Sequence, residues 1–95
     1  MTTPDDWTWE FRPPAVRTFE NLDTPIQRRI VSKLDEIVTD EWRDPPAYIE
    51  PLSGVPHGKI RIGDFRLGAD ADRESKTLRI YDIEHRSGAY RPGDD

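Results

Sequence analysis

The side chains best suited to phosphate chemistry are concentrated in the C-terminal half of this sequence of 95 residues. Residues 54–91 contain 8 Lys or Arg and 6 Asp or Glu, a net charge of +2, whereas residues 1–53 contain 6 and 11, a net charge of −5. A local excess of cations indicates where an anion would bind. The group consists of five cations, one histidine and one tyrosine: Lys59, Arg61, Arg66, His85, Arg86, Tyr90 and Arg91.

These residue types favour binding of an RNA phosphodiester and its cleavage without a metal. The guanidinium of arginine presents a planar fork of donors that matches phosphate oxygens, and an aromatic ring can stack on an unpaired base. Histidine changes its charge near neutral pH, which suits it to proton transfer. The alternative, on charge pattern alone, is that these are ordinary surface charges on an amphipathic sheet.

Other chemistries lack their motifs in this sequence. Neither of the glycine-rich phosphate loops, GxGxxG and GxxxxGK[ST], is present. Ser53, Ser75 and Ser87 have no nucleophile-elbow context. There is no cysteine, which rules out disulfides and thiolate metal sites. His57 and His85 are far apart in sequence and share no helical spacing, so we expect no metal and no cofactor.

The composition predicts one small domain, residues 1–95, in the cytoplasm. No apolar run approaches the roughly 18–20 residues of a membrane span, and no secretory signal begins the sequence, so no membrane contact is expected. Arg outnumbers Lys 11 to 3, and Asp outnumbers Glu 12 to 7. This balance suggests a protein adapted to a salt-rich cytoplasm; an acidic protein of ordinary salt conditions is the alternative.

The N-terminal half predicts a strand followed by two helices. Residues 7–11 alternate aromatic and polar side chains, as in a strand with one buried face. The prolines that follow stop the strand, and Pro14 is placed to open a helix. Asp23 or Thr24 can cap a second helix. Its apolar stripe consists of Ile26, Ile30, Leu34 and Val38.

The C-terminal half predicts a sheet. Residues 59–62 alternate cations and aliphatic side chains, which places Lys59 and Arg61 on one face of a strand. A reversal at 63–64, a strand over 65–69, a polar hairpin loop over 70–75 and a strand over 77–83 follow. The predicted fold class is α+β, with an N-terminal strand and a helical hairpin packed on one face of a mostly antiparallel sheet. The other face is expected to be partly open and to carry the cations.

Three segments in this order resemble the RelE/ParE toxin superfamily, and its RelE-like branch of archaeal or halophile type in particular. They are residues 52–54, similar to the family's LxG turn, residues 58–67, similar to its RxGdyR hairpin, and residues 80–91, similar to its terminal HRxxxYR. The N-terminal strand and helical hairpin match as well. The resemblance therefore covers roughly Trp9 to Arg91.

The resemblance implies a type II toxin that a neighbouring antitoxin neutralises. The RelE branch consists of endoribonucleases that cut mRNA, typically on the ribosome, so the implied partners are a cognate antitoxin and ribosome-bound mRNA. By position, Lys59 and Arg61 correspond to the paired cations of the RelE strand, Arg66 to the arginine closing the hairpin, and Arg86 and Tyr90 to the C-terminal arginine and tyrosine.

Cleavage of this kind needs a base near the 2′-hydroxyl, cations at the developing negative charge and an acid for the leaving oxygen. Arg61, Arg66 and Arg86 would bind the phosphate and stabilise the negative charge of the transition state. Tyr90 would stack on or orient a base, and Lys59 or His85 would transfer protons.

The sequence also departs from the family. Well-studied bacterial RelE toxins carry an additional arginine where this chain has Glu84, and bulk where it has Gly68 and Ala69. Two alternative functions are a ParE-like inhibitor of DNA gyrase and a non-catalytic partner-binding domain that retains the fold. An antitoxin is expected to cover exposed apolar side chains near Trp42 and Tyr48, although both aromatics could instead be ordinary core residues.

Overall fold

The structure, a computed structural model, describes residues 6–52, 54 and 57–85. Its strands are β1 (Thr8–Phe11), β2 (Glu50–Pro51), β3 (Gly58–Ile62), β4 (Phe65–Asp72) and β5 (Thr77–His85), and its helices are α1 (Pro13–Glu20) and α2 (Thr24–Thr39). A short 3-10 helix, Pro45–Tyr48, lies between α2 and β2. The strands form one sheet in the order β1-β5-β4-β3-β2. Only the pairing of β1 with β5 is parallel, which confirms the predicted α+β class.

The two helices begin where prolines pre-set the backbone. Arg12 is extended and precedes α1, whose first two residues are prolines; the amides of Ala15 and Val16 donate to the Arg12 carbonyl. Proline fits these positions because the first helical amides have no partner inside the helix. Asp23 precedes α2 in the same way. The side-chain amide of Gln27 donates to the Phe19 carbonyl at 2.7 Å and joins the start of α2 to the end of α1.

The core lies between the helices and one face of the sheet. The apolar stripe predicted for α2 supplies Ile30 and Leu34, which are fully buried, and Ile37 lies beside them. The strands contribute alternate residues, since successive side chains of a strand point to opposite faces. The buried residues from the sheet are Ile60, Ile62, Phe65, Leu67, Ala69, Leu78, Ile80 and Ile83.

The β4–β5 hairpin differs from the sequence prediction. Residues 70–75 were predicted to form a polar loop, but β4 continues through Asp72 and the turn occupies residues 73–76. Two cross-strand bonds favour the longer strands: Arg79 pairs with Asp72 at 2.9 Å and the Tyr81 hydroxyl donates to Asp70 at 3.0 Å. The polar composition of this segment reflects a solvent-facing strand surface.

The chain reversal predicted at residues 63–64 joins β3 to β4 in the structure. Gly63 supplies the positive φ of 58° that this turn requires. No helix in the described residues combines the length and the apolar character that crossing a membrane would need.

Truncation of a core residue from the sheet should destabilise the domain strongly. Leu67 is fully buried at the centre of the sheet, so we expect Leu67→Ala to lower the free energy of unfolding by about 2–5 kcal/mol through lost burial and a residual cavity. Urea denaturation followed by circular dichroism measures this loss. The control Val16→Ala, at a side chain that is 37% exposed, should change stability by less than about 0.5 kcal/mol. Equal effects of both substitutions would contradict the assigned core.

Candidate functional site

The face of the sheet opposite the helices is polar, and we call it the open face. Strand alternation, interrupted once by a bulge at Tyr81, places on it Lys59, Arg61, Arg66, Gly68, Asp70, Asp72, Arg79, Tyr81, Asp82 and Glu84. Arg61 on β3 is the direct cross-strand partner of Arg66 on β4, and Lys59 is the partner of Gly68. Residues paired across antiparallel strands share a face and are close neighbours. Three cations from two adjacent strands therefore lie on one surface.

Carboxylates on the same surface pair with the arginines. Arg66 lies 3.0 Å from Glu84, and Arg61 lies 3.4 Å from Glu50. The side chains are 43–67% exposed, so these pairs contribute little to stability. Their effect is on the local field, because each carboxylate offsets one guanidinium. Within the described ranges, Lys59 makes no ion pair.

A depression of about 270 Å³ lies at the centre of the open face, and we call it the Lys59 depression. It is smaller than the pockets that enclose whole ligands, which measure roughly 300–1,000 Å³, and it suits a group the size of one phosphodiester linkage. Its lining combines two cations, two carboxylates and an imidazole: Leu52, His57, Lys59, Arg66, Gly68, Asp82 and Glu84. In the part of the chain that is described, no three His, Asp or Glu side chains group as ligands for a metal ion.

Gly68 leaves room for the side chain of Asp82 on the floor of the Lys59 depression. The carboxylate of Asp82 lies over Gly68 and accepts a hydrogen bond from its amide at 2.9 Å. A Cβ at position 68 would collide with that carboxylate and would lie 3.5 Å from His57 Nε2. Glycine therefore allows the carboxylate of Asp82 to approach the sheet closely at this point.

A β-bulge next to the depression positions a tyrosine. Gly68 pairs with Asp82 and Ala69 pairs with Ile80, so Tyr81 is the extra residue of β5. Burial, and then the hydrogen bond to Asp70, raise the pKa of Tyr81. The phenol consequently remains protonated and acts as a donor at neutral pH. Its ring centroid lies 5.4 Å from that of His57.

Comparisons with known proteins identify the fold. No family model matches this sequence, and neither does any curated protein. Among solved structures, the RelBE2 toxin–antitoxin complex of Mycobacterium tuberculosis matches with a TM-score of 0.70 at 25% identity, over 90% of this chain and 97% of that one. The archaeal RelE–RelB complex of Pyrococcus horikoshii matches with a TM-score of 0.66 at 18% identity, over 88% and 99% of the two chains.

The intact E. coli RelBE toxin–antitoxin complex matches with a TM-score of 0.64 at 20% identity, over 90% and 99% of the chains. The fold of this chain is therefore similar to that of the RelE toxins in these complexes. Each of these matches spans nearly the whole of the solved chain.

The residues predicted for the site divide into three groups in the RelE-like structure. Lys59, Arg61 and Arg66 share the open face. His85 does not join them: it pairs with Phe65, whose side chain faces the core, and their rings make an edge contact at 5.2 Å. The predicted Arg86 and Tyr90 lie outside the described residues.

Sequence reasoning missed two residues of the Lys59 depression, His57 and Asp82. The alternation that places Lys59 and Arg61 on one face extends back by two positions to His57, and this signal was available. The face on which Asp82 lies could not be predicted from the sequence alone, because the bulge at Tyr81 shifts the alternation of side chains along β5.

Protonation of Asp72 should destabilise the open face. Hydrogen bonds from the Ser75 amide, the Arg79 guanidinium and the Glu74 amide hold the pKa of Asp72 below its ordinary value. The stability that ionised Asp72 supplies is therefore complete above an ordinary pKa of about 3.9 and is lost as pH falls through the lower folded-state pKa. We expect the deficit of Asp72→Asn, measured by urea denaturation, to be largest at pH 7 and to shrink below about pH 4.

The control for this experiment is Glu74→Gln, which removes an exposed carboxylate from the same turn. This substitution should change the free energy of unfolding little, as expected for an exposed side chain. A deficit of Asp72→Asn that stays constant down to about pH 2 would contradict the assigned role of the carboxylate.

Proposed function

We propose that this chain is the toxin of a type II toxin–antitoxin system and cleaves mRNA on the ribosome as a metal-independent endoribonuclease. The similarity to RelE toxins and to RelB–RelE complexes supports the toxin assignment. One observation carries the nuclease assignment: Lys59 and Arg66 line a single depression together with an imidazole and two carboxylates. Phosphate-binding cations and proton-transfer groups are thus adjacent.

The proposed reaction is attack of an RNA 2′-hydroxyl on the adjacent phosphorus. The bond from phosphorus to the 5′-oxygen breaks, and the products are a 2′,3′-cyclic phosphate and a 5′-hydroxyl. Negative charge develops on the phosphoryl oxygens, where fixed cations stabilise it. Lys59 and Arg66 supply this stabilisation from the depression, and Arg61, beside Arg66 on the open face, and Arg86 are expected to add to it. Tyr90 would orient a base by stacking.

The carboxylates of the open face distinguish this proposed nuclease from a strongly basic RNA-binding surface. Glu84 and Glu50 lie beside Arg66 and Arg61 and repel phosphate. Binding to nucleic-acid phosphates weakens steeply as salt rises. The Lys59 ammonium, which has no carboxylate partner in the described ranges, is consequently the cation most available to a phosphate.

Removal of either cation from the Lys59 depression should abolish toxicity. One preorganised charged donor contributes about 10²–10³ in rate. We expect Lys59→Ala and Arg66→Ala each to lower the rate of cleavage of ribosome-bound mRNA by about that factor and to relieve growth arrest on induction. Primer extension on a reporter mRNA and colony counts after induction measure the two effects.

Arg73→Ala provides the matched control, because it removes one cation from an exposed turn away from the depression. This variant should retain wild-type cleavage and toxicity. The proposal fails if Lys59→Ala cleaves as fast as Arg73→Ala, or if the wild type leaves ribosome-bound mRNA intact. Inhibition of gyrase supercoiling by the wild type would instead favour a ParE-like activity.

A cognate antitoxin is the proposed protein partner, since the similar structures include RelE chains bound to RelB. Trp42 is 94% exposed and offers the largest uncovered apolar side chain in the described residues. Tyr48 has a structural role, because its hydroxyl donates to Asp40 and its ring packs against the core. Of the two aromatics singled out in the sequence, Trp42 is therefore the one available to a partner.

Substitution of Trp42 should weaken the toxin–antitoxin complex. Tryptophans at the centre of interfaces contribute about 2 kcal/mol or more, roughly a 30-fold change in Kd. We expect Trp42→Ala to raise the Kd for the protein encoded beside this gene by about that factor, measured by isothermal titration calorimetry. Val16→Ala, at the second large hydrophobic side chain that is exposed among the described residues, should leave the Kd within about twofold. An unchanged Kd for Trp42→Ala would show that Trp42 lies outside the interface.

A further inference from the structure

The two histidines of the chain lie on opposite sides of the sheet. His57 immediately precedes β3 and lines the Lys59 depression. His85, at the end of β5, pairs with Phe65 and contacts its ring on the core side. An imidazole that exchanges protons with RNA held by Lys59 and Arg66 has to lie on the same face as those cations. Only His57 meets this condition.

We infer that His57 is the general base of the proposed ribonuclease reaction and removes the proton from the attacking 2′-hydroxyl. The inference rests on the proposed nuclease function and assigns a step to a residue outside the RelE-like motifs of the sequence. Two features of the structure direct the imidazole into the depression. Its Nε2 faces Gly68, 3.5 Å from the position that a Cβ there would take, and its ring lies against that of Tyr81.

Groups of both charges surround this imidazole. The cations hold a phosphate near it, and the carboxylates keep the depression close to neutral when no phosphate is bound. The charged and titratable groups that face His57 from β3, β4 and β5 are Lys59, Arg66, Asp70, Tyr81, Asp82 and Glu84. Tyr81 remains a phenol because burial raises its pKa, so it does not compete with His57 as a base.

Two side chains of the Lys59 depression, His57 and Lys59, account for both proton transfers of this step. Neutral His57 takes the proton of the 2′-hydroxyl as the bond from that oxygen to phosphorus forms. The bond from phosphorus to the 5′-oxygen breaks, and the leaving oxygen takes a proton from the Lys59 ammonium. Exchange with water then returns the proton to Lys59 and removes the one on His57. No oxidant, reductant or metal enters this sequence.

The test compares His57→Gln with His85→Gln in single-turnover cleavage of ribosome-bound mRNA between pH 5 and 8.5. General base catalysis contributes about 10²–10⁴ in rate. We therefore expect His57→Gln to lower the rate at pH 7.5 by at least about 10²-fold and to abolish the rise in rate with pH that an imidazole base produces. His85→Gln should retain both the rate and the pH profile.

A binding measurement separates catalysis from folding and affinity. An RNA with a 2′-deoxy residue at the cleavage position is not cut, and His57→Gln should bind it within about threefold of the wild type. Arg66→Ala should bind it more weakly. Added imidazole should partly restore cleavage by His57→Ala, which a purely structural role would not permit.

The outcomes distinguish the inference from the function on which it rests. A wild type that cleaves no mRNA overturns the nuclease function and this inference with it. Cleavage by His57→Gln at the wild-type rate and with the wild-type pH profile overturns the inference alone. A rate loss confined to His85→Gln overturns it in favour of the other histidine.

Discussion

Burial of one face of the sheet against α2 is the constraint on which the rest of this structure depends. Side chains alternate along a strand, so a shift of one residue in register would bring every buried aliphatic residue of β3 into water. Ile60 and Ile62 are almost fully buried, and this fixes the register of β3. The same constraint fixes the positions of Lys59 and Arg61, which contribute nothing to the core. The geometry of the candidate site is thus a consequence of apolar packing on the other side of the sheet.

The β-bulge at Tyr81 interrupts the alternation of side chains along β5 next to the candidate site. Without the extra residue Tyr81, strict alternation through β5 could not place both Arg79 and Asp82 on the open face while Ile80 and Ile83 remain in the core. Bulges are found frequently next to functional sites because they redirect side chains locally. Here the bulge brings Tyr81 towards His57 and leaves Asp82 over Gly68.

The open face carries cations and carboxylates side by side, and this mixture of charges affects how it could bind RNA. Each arginine from β3 and β4 lies beside a glutamate. A bound phosphate would replace these interactions, so net affinity from the arginines would be modest and strongly dependent on salt. Under the proposed function the mRNA would already be held by the ribosome, so little affinity would be required of this chain itself.

Most of the fold could be predicted from the sequence, because it follows from periodicity and from proline and glycine positions. The helical stripe of α2, the prolines at both helix starts and the reversal at Gly63 are local signals, and the structure bears them out. The hairpin loop predicted over residues 70–75 was correct for residues 73–75 and wrong for residues 70–72, because acidic residues on a solvent-facing strand resemble a loop in composition.

The candidate site could be predicted only in part. Strand alternation was sufficient for Lys59 and Arg61 and, through the hairpin, for Arg66. It was not sufficient for the histidines. His85 was chosen as the histidine of the C-terminal segment that resembles HRxxxYR, whereas the face of a side chain depends on register with β4. That register is a long-range property of the sheet, which local sequence patterns do not specify.

The most direct test of the account is to map where RNA contacts the folded chain. Backbone amide shifts of 15N-labelled protein should be followed by NMR during titration with a short RNA that carries a 2′-deoxy residue at the cleavage position. The account predicts that the shifts concentrate at His57, Lys59, Arg66, Gly68 and Glu84, with little change in α1 and α2. Shifts confined to the helices, or none at RNA concentrations that support binding, would contradict it.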